Sequence, residues 1–195
     1  VGEHYALWME ENGLTNWRDY FQPWPPVPNA IERRHAWDLP LDMHYSKWTA
    51  VRSIAAIERA VAVERPFFHW ASFQDPHPPY LVPEPYASMY DPSTVEIGTL
   101  APGELDRMPP WFGETQADHP DFSRWQETPH ANHGFIKHTT SEADLRRDIA
   151  VYYGMLSLLD DQVGRILTRL DQLGVADNTI VIFTTDHGHF LGQHG

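Results

Sequence analysis

With 195 residues, 42% of them hydrophobic, the chain can bury a sizeable core, and its net charge of −13 leaves no basic face with which to hold nucleic acid. The absence of Cys excludes disulfides and thiolate metal sites within these residues, and no apolar run approaches the roughly eighteen residues a membrane helix needs, so no membrane partner is expected. The acidity still permits an anionic substrate, because a bound cation reverses the local sign. The chain opens on Val1 without a leader and closes in a glycine-containing turn at Gly195, so it reads as an excerpt of a longer protein.

Residues 3–12 read as a short helix closed by Gly13. Pro23, Pro25, Pro26, Pro28 and Pro40 then mark 22–44 as an irregular segment that follows the surface. Ser46 offers an N-cap to an amphipathic helix in which Trp48, Val51, Ile54, Ala55, Ile57 and Val61 recur up to Glu64, before Pro66 breaks the pattern. The run from Phe67 to Phe73 reads as a buried strand, with His69 as a satisfied core or edge histidine.

Directly after that run stands Gln74-Asp75-Pro76-His77-Pro78-Pro79-Tyr80. Proline on both sides holds His77 on a stiff loop at the carboxyl end of the expected strand. Such a loop suits a positioned proton donor, and it equally suits a rigid turn whose histidine faces water. An irregular, insertion-like loop follows at about 82–140. Within it His130, His133 and His138 match no fixed ligand spacing, and Trp111 and Trp125 read as packing faces in preference to platforms for a sugar.

Ser141-Glu142-Ala143-Asp144 resembles a capping box and opens the strongest periodicity in the chain. Leu145, Ile149, Tyr152, Leu156, Leu159, Val163, Ile166, Leu170 and Leu173 form one apolar stripe, which Gly174 ends. Asp160 and Asp161 read as a solvated flank, since helical neighbours point about 100° apart. Thr179–Thr185 then reads as a second buried strand that stops at Asp186-His187-Gly188. A hard carboxylate oxygen beside an imidazole nitrogen at a strand end suits a divalent cation holding an oxyanion, although the tripeptide alone also fits a plain strand exit. With the long helix as crossover, the two strands are expected parallel in one sheet, bringing His77 and Asp186 to the same edge.

The order of strand, Asp-Pro-His-Pro-Pro, variable loop, long helix, and Asn-Thr-Ile-Val-Ile-Phe-Thr-Thr-Asp-His-Gly followed by Gly-Gln-His-Gly resembles the type I sulfatases of the alkaline phosphatase superfamily. The likeness is dense over 66–90 and 152–195. It implies an α/β fold with a mostly parallel mixed sheet flanked by helices, alkaline-phosphatase-like and incomplete in this chain. Residues 1–195 would then be part of a single catalytic domain, with the insertion-like loop at about 82–140.

The same resemblance implies roles for particular residues. Asp186 and His187 would ligate one divalent cation, Ca2+ in most sulfatases and Mn2+ or Zn2+ in a phosphohydrolase. His77 would contact the bridging oxygen of the ester and protonate the leaving group, and His194 would bind substrate. The family's sulfate-binding lysine would fall just past Gly195. Its nucleophile is a formylglycine made from Cys or Ser in Cys/Ser-x-Pro-x-Arg, and no such motif occurs here, so the nucleophile is expected outside these residues and the segment alone is expected to be inactive. The implied activity is metal-dependent hydrolysis of a small-molecule or saccharide sulfate ester in a periplasmic, secreted or lysosomal setting. A phosphonate monoester or phosphodiester hydrolase of the same superfamily and a noncatalytic α/β binding module are the alternatives.

Overall fold

The computed structural model describes residues 4–17, 34–114, 116–118, 121 and 140–194. In chain order its elements are α1 (Tyr5–Glu11), β1 (Arg34–Ala36), α2 (Tyr45–Ala62), β2 (Tyr80–Val82), α3 (Pro110–Glu114) and α4 (Glu142–Gln172). They fall into two compact units, 1–90 with 151–184 and 91–150 with 185–195, the division passing through α4.

In the first unit, α1 ends as its composition dictates, with Gly13 at φ +87° and its N–H bonded to the Glu10 carbonyl. Tyr5 anchors the helix, donating its hydroxyl to the Met43 carbonyl at 2.6 Å and meeting Trp48 edge-on at 5.6 Å. Helix α2 departs from expectation at its start. Its N-cap is His44, whose Nδ1 accepts the Ser46 N–H at 3.2 Å, while the Ser46 hydroxyl donates to the Asp75 carboxylate. Because the imidazole lone pair satisfies the first-turn N–H, the serine hydroxyl is free to turn inward. That inward Ser46 sets the rotation of the helix. Ala50, Ser53 and Ile57 share its face and are buried, so the predicted stripe contributes Ile57 to the core and leaves Val51 43% exposed.

Strands β1 and β2 pair in parallel, Arg34 with Tyr80, His35 with Leu81 and Ala36 with Val82, and α2 lies in the crossover between them. Tyr80, Leu81 and Val82 are all fully buried, as a strand covered on both faces requires.

The two predicted strands are not formed. Residues 67–73 and 179–185 join no ladder, and among the described residues the sheet is the two-stranded β1–β2 pair, not the mostly parallel mixed sheet expected. Phe68 and Ile180 are each 90% exposed, and His69 is exposed, while Phe67, Ala71 and Phe73 are half-buried. An apolar, β-branched run becomes a buried strand only where neighbours accept its N–H and C=O groups and cover its faces, and among the described residues no strand pairs with either segment.

Helix α4 runs for 31 residues. Ser141 caps it, accepting the Asp144 N–H at 3.1 Å and donating its hydroxyl to the Asp144 carboxylate at 2.5 Å. The helix closes at Gly174, with φ +69°, through the Val175 N–H to the Leu170 carbonyl at 3.2 Å and the Gly174 N–H to the Asp171 carbonyl at 2.9 Å. Within the first unit the buried seam of α4 passes through Met155, Leu158, Gln162 and Leu170, and the expected Leu156 is 38% exposed. Gly154 explains the shift. A Cβ there would stand 2.2 Å from the Tyr86 carbonyl oxygen, so the bare glycine admits the Tyr86 backbone and turns this face inward. Asp160 and Asp161 are exposed as expected, Asp161 accepting the Tyr86 hydroxyl.

In the second unit Val95, Leu145, Ile149 and Ala150 make a small core flanked by Ile97 and Leu191. Trp111 is 45% exposed, and Trp125, His130, His133 and His138 lie outside the described residues. No helix among the described residues is long and apolar enough to cross a membrane.

The two helical glycines of α4 differ in a way that stability measurements resolve. Gly154→Ala is expected to cost about 1–3 kcal/mol, because the Tyr86 backbone must move. At Gly164 nothing lies within 4 Å of the position a methyl group would take, so substitution by Ala is expected to gain about 0.5–1 kcal/mol. Denaturant unfolding of both variants checks the opposite signs.

Candidate active site

The His77 loop leaves a buried carboxylate and enters a buried strand. Asp75, 5% exposed, accepts hydrogen bonds from the hydroxyls of Tyr45 and Ser46 in the first turn of α2. Beside it the fully buried His44 donates Nε2–H to the Leu81 carbonyl of β2 at 3.0 Å, which leaves Nδ1 as the lone pair that accepts the Ser46 N–H. His44 Nδ1 lies 3.9 Å from Asp75 Oδ2, and its ring stacks on Tyr45 at 4.2 Å. Sequence reasoning finds neither His44 nor Asp75. The one available signal is that Asp75 stands two residues before His77, and burial is not visible in that spacing.

His77 itself is exposed. Its N–H donates to the Gln74 carbonyl at 3.0 Å, and its Nδ1 pairs with the Pro78 carbonyl. A carbonyl can only accept, so the ring carries Nδ1–H and leaves Nε2 for an incoming group.

Asp186 and His187 lie in the second unit and are exposed. One carboxylate oxygen, Oδ1, accepts the His187 N–H at 2.9 Å. His187 Nδ1–H donates to the Gly188 carbonyl at 2.9 Å, which makes Nε2 the lone-pair nitrogen. The remaining two donor atoms, Asp186 Oδ2 and His187 Nε2, stand 3.9 Å apart. Bonds of about 2.0–2.6 Å from a divalent cation to oxygen and imidazole nitrogen span that separation, so the donor pair fits a cation by chemistry and by spacing. Among the described residues no group of three or more His, Asp or Glu side chains gathers as a metal cluster, so this pair supplies two ligands at most.

His194 also belongs to the second unit, in a turn with Leu191, Gly192 and His194 at positive φ. A Cβ at Gly192 would come within 2.5 Å of the Leu145 side chain, so the turn packs close against α4. His194 Nδ1 pairs with the Glu104 carboxylate, and its ring meets Phe190 edge-on at 5.0 Å. The Ala101 N–H, then His194, holds the Glu104 carboxyl below its usual value. Glu104 is a third residue that sequence reading misses, since ninety positions separate it from His194. The structure thus carries His77 on one unit and Asp186, His187 and His194 on the other.

The chain matches the sulfatase family model over residues 4–195. It belongs to the sulfatase family. It is 28% identical to the multifunctional alkaline phosphatase superfamily protein PehA of Trinickia caryophylli across 98% of this chain and 37% of that protein. Human iduronate 2-sulfatase is 32% identical across 81% of this chain and 28% of its own length. The fold superposes on the phosphonate monoester hydrolase of Agrobacterium radiobacter with a TM-score of 0.66 and 27% identity, over 100% of this chain and 38% of that one. The sulfatase chain described here thus spans roughly a third of the length of these relatives.

The buried pair in this sulfatase chain generates a pH prediction. Burial lowers the His44 imidazole to about 4 and raises the Asp75 carboxyl to about 7, the two hydroxyl donors pulling Asp75 partly back. Asp75 therefore contributes stability that is fully present below its unfolded value of 3.8 and is lost as pH rises to about 7. His44 contributes stability present above its unfolded value of 6.5 and lost as pH falls towards about 4. The two slopes oppose each other. Relative to wild type, the stability of Asp75→Asn should rise with pH across this window, by at most about 1.4 kcal/mol per pH unit, and that of His44→Gln should fall. Urea unfolding at stepped pH checks both signs.

Proposed function

We propose that the protein to which these residues belong hydrolyses sulfuric esters, with a sulfated carbohydrate as its substrate class. The observation that carries this reading is the Asp186–His187 donor pair, whose free oxygen and nitrogen face each other at 3.9 Å while the other atoms of both groups are held by the local backbone. Membership of the sulfatase family supports it. Asp186 and His187 would hold a divalent cation, Ca2+ in this reading, with further ligands from outside this chain, and the bound cation would supply positive charge to the nonbridging oxygens of the ester.

With both ring nitrogens protonated, His77 delivers the Nε2 proton to the departing alkoxide and keeps Nδ1–H on the Pro78 carbonyl. His194, protonated on both ring nitrogens, donates Nε2–H to the ester while Nδ1–H pairs with Glu104. The formylglycine nucleophile lies outside these residues, and without it the segment alone does not turn over. In the whole domain, 67–73 and 179–185 are strands of a mostly parallel sheet, which their exposed apolar side chains support.

One observation favours a second reading, the structural likeness to a phosphonate monoester hydrolase. Parallel kinetics with matched aryl sulfate and aryl phosphonate esters separate the two, and a large preference for the phosphonate overturns the sulfate assignment.

Two further measurements test the roles. In the full-length enzyme, Asp186→Ala and His187→Ala are each expected to lose most of the bound cation, and a full equivalent in metal analysis of either variant refutes the ligand assignment. His77→Ala is expected to slow hydrolysis of a sulfated sugar by about 10²- to 10⁴-fold and that of a nitrophenyl sulfate far less, because a nitrophenolate needs little protonation to leave. Equal losses on both esters at unchanged metal content remove His77 from the reaction.

A further inference from the structure

His77 is exposed, so its place is set by what holds the two ends of its loop. Upstream, Asp75 is 5% exposed, and its two carboxylate oxygens take one hydroxyl each, Oδ1 from Tyr45 and Oδ2 from Ser46. Downstream, Tyr80 and Leu81 are fully buried, and His44, the residue before Tyr45, holds the Leu81 carbonyl at 3.0 Å. Three consecutive residues at the start of α2 thus grip both ends of the loop.

The upstream grip is chemically unusual. Burying a carboxylate costs stability, and an apolar side chain of similar size would pack there without that cost. What a carboxylate supplies, and an apolar residue does not, is direction. With both oxygens engaged the side chain has one orientation, and the backbone that leaves Asp75 for Pro76 and His77 is aimed with it.

We propose that Asp75 is a positioning residue for His77, transmitting the fixed geometry of the first turn of α2 through its two hydroxyl hydrogen bonds to the imidazole two residues on. The proposal rests on the reading of His77 as leaving-group acid. Asp75 touches no substrate and acts only through the placement of His77. A small displacement is enough to matter, since an error of about 1 Å at a reacting group costs on the order of 10²-fold.

The test compares Asp75→Ala, Asp75→Asn, His77→Ala and the double Asp75→Ala/His77→Ala in the full-length enzyme, on a sulfated sugar and on a nitrophenyl sulfate. Asp75→Ala should lower kcat on the sugar sulfate by about 10- to 100-fold, with KM and the nitrophenyl sulfate rate within about 3-fold of wild type. Asp75→Asn, whose amide still meets both hydroxyls, should recover most of that loss. The double variant should be no slower than His77→Ala alone, because a group that acts only through the imidazole has nothing left to position.

Equal slowing of both esters by Asp75→Ala, or losses that multiply in the double variant, show a general packing role and overturn the proposal. Should Asp75→Ala not fold, Tyr45→Phe and Ser46→Ala each remove one of the two bonds. A shift in the ratio of the two ester rates in these variants supports the proposal, and an unchanged ratio overturns it. The reading of His77 fails separately: His77→Ala that does not distinguish the leaving groups takes both down, whereas His77→Ala that does, beside Asp75→Ala that does not, defeats the positioning role alone.

Discussion

A buried carboxylate accepting hydrogen bonds from two hydroxyls is the constraint around which the first unit is arranged. Asp75 brings Tyr45 and Ser46 inward, and that choice fixes how α2 is rotated, which of its residues face the core and why Val51 is left outside. His44 completes the arrangement by capping α2 with one ring nitrogen and holding β2 with the other. Each polar atom in this knot has a partner, which is the condition under which buried polar groups specify one arrangement instead of weakening it.

The chemistry-bearing side chains follow a common local rule. In His77, His187 and His194 one ring nitrogen, Nδ1, is engaged by a carbonyl or a carboxylate, so that Nε2 is the nitrogen left for a proton, a cation or an ester oxygen. Asp186 divides its oxygens in the same fashion, one on a backbone N–H and one towards His187. For His77, Asp186 and His187 these pairings are to near neighbours in sequence, so the side chains are aimed by short stretches of backbone. His194 differs, because its partner Glu104 is distant in the chain.

Backbone accounting explains why the two most strand-like stretches join no ladder among the described residues. Composition makes 67–73 and 179–185 suitable for a sheet interior, where both faces are covered. Suitability is not pairing. A three-residue pair such as β1–β2 forms because α2 brings Arg34–Ala36 beside Tyr80–Val82, whereas among the described residues no strand pairs with either of the other two runs. Their apolar side chains are accordingly exposed, Phe68, Trp70, Ile180 and Ile182 by 72% or more.

Sequence alone determined the features that depend on neighbours a few residues apart. These are the start of α4 at Ser141, its end at Gly174, the closure of α1 at Gly13, the exposed flank at Asp160 and Asp161, and the family that the ordered motifs point to. Capping, glycine at positive φ and helical periodicity are local, so they are written in the order of residues. Tertiary structure decided which face of each long helix is buried. Gly154 admits the Tyr86 carbonyl and rotates the seam of α4, while the inward Ser46 hydroxyl rotates that of α2. It also decided that His44 is the cap, that Asp75 lies beneath the His77 loop and that Glu104 holds His194. Those pairings join residues far apart in the chain, and the energy that selects them, burial of a polar group with its partner, exists only once the fold has brought both together.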